Sequence, residues 1–511
     1  MKPFTLKLGE QPLTLALLDE CLGQPLHVDI SGSALDRVER GRGWVDDLVA
    51  SGAPIYGINT GFGHLRNKRI PPEQLDQLQH NLIISHAVGV GPATPPEIVR
   101  WILLFKLNML LAGHSGVRTD VVRVMQLFLN ADILPVVPTR GSLGASGDLA
   151  PLAHVVLGMI GRGEISVPGA AEHAGTRTVR PAAEVLAALG LPPLQLTSKE
   201  GLALINGTQF MAAYAANIGV RARRLADLAD LIACLTLEGF RGSIRPMDPR
   251  LHELRPHGGA QAVAANIRRH MTGSEILASH ADCPRVQDPY SLRCVPQVHG
   301  AFRDVLAHYC EVITREINSV TDNPIIFEDA AISGGNFHGA PLALVLDYLA
   351  IALTDLASIS ERRTYQLLGG EDGLPKLLMQ DTGLNSGYML PQYTSAALVN
   401  ECKVLATPAS VDSIPTSLGQ EDHVSMGATA ALKCYEILDR VETVLAVELM
   451  CAAQAVDFRA PQRPGQGPAA AHAIIRRHIT HADADREFGD DIRTALRLLR
   501  ESTELRAIAG A

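Results

Sequence analysis

The chain has 511 residues, 47% of them apolar and 19% charged, and a formal net charge of −9. That balance supports a large buried core and excludes a disordered chain. It also excludes a global basic field that would hold nucleic acid or an anionic membrane surface. Aromatic residues are only 4% of the total, and the abundance of Ala and Leu favours packed helices over a β-rich core.

Taken in chain order, the first apolar stretch, Pro12 to Leu18, lies between Glu10 and Asp19 and lacks the layout of a signal peptide. A Gly/Pro-punctuated loop follows at Pro54–Gly63. Ile98 to Ala112 repeats apolar residues at three and four, with Gly113 as the stop signal. Ile133 to Pro138 is held extended by its prolines. Asp148 is a good N-cap for a helix that tolerates Pro151 in its first turn. Thr197-Ser-Lys-Glu200 reads as a capping box, and Gly207 ends the short turn it starts.

Longer helices are predicted at Phe210–Leu237, Val298–Ile317, Ala340–Leu368 and Val424–Val456. They are apolar on most faces, as helices buried centrally in a bundle are. The stretch from Pro341 is interrupted by Asp347 and Asp355, which favours a buried helix over a bilayer span. Gly- and Pro-rich loops separate these helices, and chemistry sits preferentially on such loops. The predicted fold is therefore mainly α: a loop-rich N-terminal region over 1–200, a long central helical bundle over 201–468 and a C-terminal helical cap over 469–511. Eight cysteines show no two-residue metal or redox spacing and read as reduced thiols of a cytoplasmic protein. His-Glu-x-x-His and nucleotide-binding fingerprints are absent, so no metal or nucleotide is expected.

The segment richest in chemical signal is Gly141-Ser-Leu-Gly-Ala-Ser-Gly-Asp-Leu-Ala-Pro-Leu-Ala153. By itself Ala145-Ser146-Gly147 reads as a glycine-rich turn at a helix N-terminus, where free N–H groups favour developing negative charge. A serine-nucleophile elbow would need Gly two residues after Ser146, and Asp148 occupies that place.

The whole segment resembles the signature of the aromatic amino acid ammonia-lyases and aminomutases. Further blocks in the same order resemble that family: Tyr56-Gly-Ile-Asn-Thr-Gly-Phe-Gly63, Asn206-Gly-Thr-Gln209, Val286-Gln-Asp-Pro-Tyr-Ser-Leu-Arg293, Thr321-Asp-Asn-Pro324, Gly334-Gly-Asn-Phe-His338 and Gln420-Glu-Asp-His-Val-Ser-Met426. The signature of the fumarase and argininosuccinate-lyase type, another helical enzyme class, is absent.

The resemblance implies that Ala145, Ser146 and Gly147 cyclise, with loss of two waters, into a 4-methylidene-imidazol-5-one (MIO) electrophile. Glycine leaves ring closure unobstructed, and the serine β-hydroxyl can leave to form the alkene. It implies that Tyr56, on a lid loop, acts as the base, which requires its phenol to titrate below its usual range of about 10. Tyr290 supports the site and Arg293 grips the substrate carboxylate with a bidentate fork. Asn206 and Gln287 join the polar network, and Phe337 shapes the pocket wall. Ser85-His86 and Glu421 resemble the histidine-acting branch, because His86 and a carboxylate together can hydrogen-bond an imidazole.

The implied reaction converts L-histidine to trans-urocanate and ammonia. A lyase or 2,3-aminomutase acting on tyrosine or phenylalanine is the alternative. Gly339-Ala340 and Leu418-Gly419 depart from the histidine-type pattern. A homotetramer with active sites shared between subunits is implied as well. A helix of thirty residues runs about 45 Å, so its two ends cannot line one small pocket. Tyr56 and Ser146 of one site are accordingly expected from different chains.

Overall fold

The computed structural model describes residues 3–52, 55–61, 67–169, 176–281 and 285–510. Cys283, together with Phe62 and Gly63 of the Tyr56 block, lies outside them. Each long helix anticipated from periodicity is present: Pro96–Leu110, Gln209–Phe240, Val295–Glu316, Ala340–Leu368 and Gly427–Asp457. Gly113 follows the first of them in a left-handed conformation, with φ +85°. The tail folds as three helices, Gln466–Arg476, Phe488–Glu501 and Thr503–Gly510.

The chain divides into two compact units that interleave along the sequence. The first comprises Met1–Val220, Cys310–Leu346 and Pro408–Leu432. It contains the few strands the composition did not announce. Phe4–Leu8 pairs in parallel with Leu26–Ile30, and Leu134–Pro135, Glu164–Pro168 and Arg177–Pro181 form a small antiparallel sheet. Helix Pro96–Leu110 is buried on nearly every side from Ile98 onward, and the charged Lys106 is buried with it.

The helix start at Asp148 differs from the sequence expectation in an informative way. Asp148 precedes helix Leu149–Met159 but makes no side-chain cap to it. Its carboxylate instead accepts from the Met211 backbone N–H (3.0 Å), in the first turn of helix Gln209–Phe240, and from Ser142 Oγ (2.9 Å). A fully buried carboxylate thus caps a helix remote in sequence, while burial pushes its pKa up to about 7. Asp148→Ala is expected to lower stability by about 2 kcal/mol, read from the denaturant midpoint, because the Met211 N–H loses its acceptor. The capping box is half made: Glu200 Oε2 accepts from the Thr197 N–H (2.8 Å), whereas Thr197 Oγ1 is buried without a partner among the described residues.

The second unit comprises Arg221–Tyr309, Asp347–Thr407 and Lys433–Ala511. Its helices enclose a polar spine. Glu448 accepts from Arg363 (2.5 and 2.8 Å), Ser360 (2.6 Å) and Thr236 (2.7 Å), all fully buried. Arg363 also donates to His299 Nε2 (3.2 Å), and His299 Nδ1 faces Asp230 (2.8 Å). Burial lowers the His299 pKa, so the imidazole is neutral, with Nδ1–H donating and Nε2 accepting. Ala340–Leu368 has the length and apolarity to cross a membrane. It nevertheless carries Ser360 and Arg363 into this spine, and its Asp347 pairs with Lys433 (3.1 Å).

Candidate active site

Within the first unit, the strands Leu134–Pro135 and Pro138–Arg140 deliver the chain to a turn in which Gly141, Gly144 and Gly147 all have positive φ. Gly147 bridges back to Gly144 and Ala145 and across to Gly207. The approach is so close that a Cβ on Gly147 would lie 2.1 Å from the Gly207 carbonyl oxygen. One on Gly144 would lie 2.1 Å from Ser425 Oγ. The Asp148 N–H donates to Gly207 O (2.7 Å), and the Gly207 N–H donates to Ser146 O (3.3 Å). A tight turn in which Gly147 folds back on Gly144 and Ala145, with Ala145 and Ser146 half-buried, fits a ring closed between residues 145 and 147.

Ser146 opens onto a cavity of about 640 Å³ whose lining includes Tyr56, Ser85, His86, Leu202, Leu418 and Glu421. His86 ends helix Leu75–His86, and its Nδ1 lies 3.0 Å from Ser85 Oγ. Burial lowers the His86 pKa, against the opposing effects of a backbone hydrogen bond and the nearby Glu421 charge. Glu421 is held in turn by Thr416, whose hydroxyl donates to Oε2 (2.8 Å) and whose backbone pairs with it. Leu418, one of the departures from the family pattern, sits on the cavity lip with φ +54°, beside Ser417 at +50°. Two adjacent non-glycine residues in the left-handed region mark a strained turn.

Tyr56 and Ser146 line this cavity in a single chain, contrary to their expected separation between chains. The reason is local. The segment carrying Tyr56 lies against the short helix Glu200–Ile205, and a Cβ on Gly57 would come within 2.3 Å of Leu202 Cδ2. Residues 56, 86, 146 and 421 reach one cavity through short helices and turns, so the length of the central helices does not part them.

Beneath the cavity, Ser146 Oγ donates to Asn206 Oδ1 (2.7 Å). Asn206 is 1% exposed and forms the C-cap of helix Glu200–Ile205. Its Nδ2 donates to Asn323 O (3.0 Å) and Asp322 Oδ1 (3.3 Å), and Asp322 Oδ2 pairs with Lys199 Nζ (2.7 Å). Lys106 Nζ donates to the backbone oxygen of Asn206 (2.5 Å) and to that of Ala203 (3.3 Å). Burial brings the Lys106 pKa down to about 7, with Asp322 opposing the shift. Lys106, Lys199 and Asp322 were not singled out from the sequence. The available signal was a lysine inside the apolar run Trp101-Ile-Leu-Leu-Phe-Lys-Leu107, since a charge is buried only where partners await it.

Gln287, Tyr290 and Arg293 belong to the second unit and are not among the residues lining this cavity. Gln287 and Arg293 line a cavity of about 570 Å³ with Ser243, Arg285 and Asp288. The Arg293 guanidinium lies 4.4 Å from the centroid of the Tyr290 ring, and its Nε is buried without a partner among the described residues. Tyr290 is 71% exposed. Phe337, in the first unit, is half-buried next to His338, whose ring stacks on that of His423 at 6.0 Å. Among the described residues no His/Cys/Asp/Glu group could hold a metal ion.

Comparison with known proteins agrees with this geometry. Residues 13–477 match the family model described as aromatic amino acid lyase. A histidine ammonia-lyase of Deinococcus radiodurans is 53% identical over 490 residues, covering 95% of this chain and 91% of that protein. One from Myxococcus xanthus is 49% identical, with coverages of 95% and 94%. The crystal structure of histidine ammonia-lyase from Trypanosoma cruzi superposes with a TM-score of 0.90 at 39% identity, covering 99% of this chain and 95% of that one. Tyrosine aminomutase from Streptomyces globisporus gives 0.92 at 34% identity, with 99% of each chain covered. The chain belongs to the aromatic amino acid lyase family.

Proposed function

We propose that the chain is a carbon–nitrogen lyase that eliminates ammonia from L-histidine to give trans-urocanate. The observation that carries this reading is the placement of His86, Glu421 and Ser146 on one cavity, together with the histidine-acting relatives. The cofactor is the MIO ring made from Ala145, Ser146 and Gly147, which supplies an electrophile that turns the substrate's amine into a workable leaving group. His86, kept neutral by burial, and Glu421 hydrogen-bond the imidazole. A phenyl ring could form a hydrogen bond with neither side chain, which discriminates against it.

Tyr56 acts as the base toward the substrate's β-proton from the cavity wall. Asn206, whose Oδ1 already faces this cavity's Ser146, orients the amine. Arg293 binds the carboxylate, with Gln287 and Tyr290 beside it and Phe337 on the wall. Arg293 fits that task in possessing a buried Nε with no acceptor among the described residues. These residues are supplied by a neighbouring subunit of a homotetramer, so each site is shared. The seven described cysteines are free thiols, in keeping with a cytoplasmic enzyme.

A 2,3-aminomutase of tyrosine or phenylalanine is the second reading, favoured by the likeness to tyrosine aminomutase. Ultraviolet spectra and chromatography of products from histidine, phenylalanine and tyrosine, each offered separately, decide between the two. Urocanate from histidine supports the proposal, whereas a β-amino acid product overturns it. Glu421→Gln and His86→Leu are each expected to lower kcat/KM for histidine by ~10–100-fold and to narrow the gap to phenylalanine. Unchanged selectivity in both variants would remove these residues from recognition.

A further inference from the structure

Asn206 is held from both sides. Its Nδ2 faces two acceptors, Asn323 O and Asp322 Oδ1, so the amide cannot turn over without opposing its oxygen to both. Its Oδ1 is thereby aimed at Ser146 Oγ. Asp322 is fixed in turn: Oδ1 also accepts from the Asn323 N–H (2.7 Å), and Oδ2 is paired with Lys199. The two charged side chains are fully buried. A buried ion pair adds little net stability, and breaking it from one side is costly, so its value lies in fixing geometry. Lys199 carries a further sign of constraint, φ +73° at the residue that precedes the helix ending in Asn206.

We propose that the Lys199–Asp322 pair positions Asn206 to hold the Ser146 hydroxyl during formation of the MIO ring; this rests on the reading of residues 145–147 given above. In that maturation the Gly147 nitrogen bonds to the Ala145 carbonyl carbon. The Ala145 oxygen departs as the first water with the hydrogens of the Gly147 and Ser146 nitrogens. The second water takes the Ser146 Oγ–H group and the Ser146 Cα proton as the Cβ–Oγ bond breaks and the alkene forms. The Ser146–Asn206 hydrogen bond therefore exists only before maturation, and it fixes the direction of the bond that must break. Asp322 and Lys199 touch no reacting atom and are positioning residues.

The test compares intact mass with thermal melting in freshly purified protein. The double variant Lys199→Met/Asp322→Asn removes both charges together and leaves neither stranded. Asp322→Glu keeps the pair but displaces the carboxylate at Asn206. Wild type should be lighter than its sequence by two waters. In both variants a large fraction, on the order of half or more, should not yet have lost the second water at early times, and that fraction should fall with incubation while the melting temperature stays near wild type. Such slow maturation in a folded protein is not expected of a merely structural pair. Complete loss of two waters at the wild-type rate in folded variants would overturn the assignment. A wild type that loses no water would instead overturn the MIO reading on which it rests.

Discussion

Ser146→Ala should be unable to lose the second of the two waters and should lower turnover by a factor on the order of 10³ or more, equivalent to about 4 kcal/mol of barrier. The variant removes the hydroxyl that would leave, and with it the Cβ–Oγ bond whose cleavage would turn Cβ into the methylene, but little volume. Asn206 loses one partner and keeps two on its amide nitrogen, so the fold should persist. Mass spectrometry, a thermal melt and a turnover assay on one preparation separate lost chemistry from lost structure. A wild-type mass equal to the translated sequence would sink the mechanism at its root.

The second large effect concerns sharing between chains. Tyr56 and Ser146 occupy one chain's cavity, whereas Tyr290 and Arg293 lie in the other unit, so the informative pair is Tyr290→Phe with Ser146→Ala. Each variant alone should be nearly inactive. After dissociation, mixing in equal amounts and reassembly, about a quarter of the sites should combine an intact electrophile with an intact Tyr290, if both come from different subunits of a closed assembly. Recovery near that fraction supports shared sites. No recovery from mixed tetramers confirmed by native mass spectrometry would refute them. A fully active monomer in sedimentation would refute the assembly as well.

The helices were legible because their signal is repetitive. Ala340–Leu368 was read to its terminal residues, and Gln209–Phe240 and Gly427–Asp457 to within three. The short strands near the N-terminus were not, because five residues such as Phe4–Leu8 carry too few alternations to stand out. Asp148 was read as the cap of its own helix because a sequence shows neighbours along the chain, and Met211 is 63 residues away. In the cavity, motifs named Tyr56, His86, Ser146 and Glu421, since a chemical requirement restricts each residue type. Lys106, Lys199 and Asp322 escaped for the opposite reason. Their task is to satisfy other groups, and the identity of those groups emerges only on folding.

The contacts of the Ala145–Gly147 turn also set an order of events in biosynthesis. When a ribosome has added residue 160, the tripeptide exists but Asn206, Gly207, Asp322 and Ser425 do not. Gly147 packs on Gly207, Ser146 on Asn206 and Gly144 on Ser425. On the reading proposed here, the nascent chain cannot assemble this turn until translation has passed residue 425. A soft nucleophile such as glutathione would thus meet no electrophile on an unfinished or misfolded chain, and the reactive group would be confined to molecules that have completed their fold.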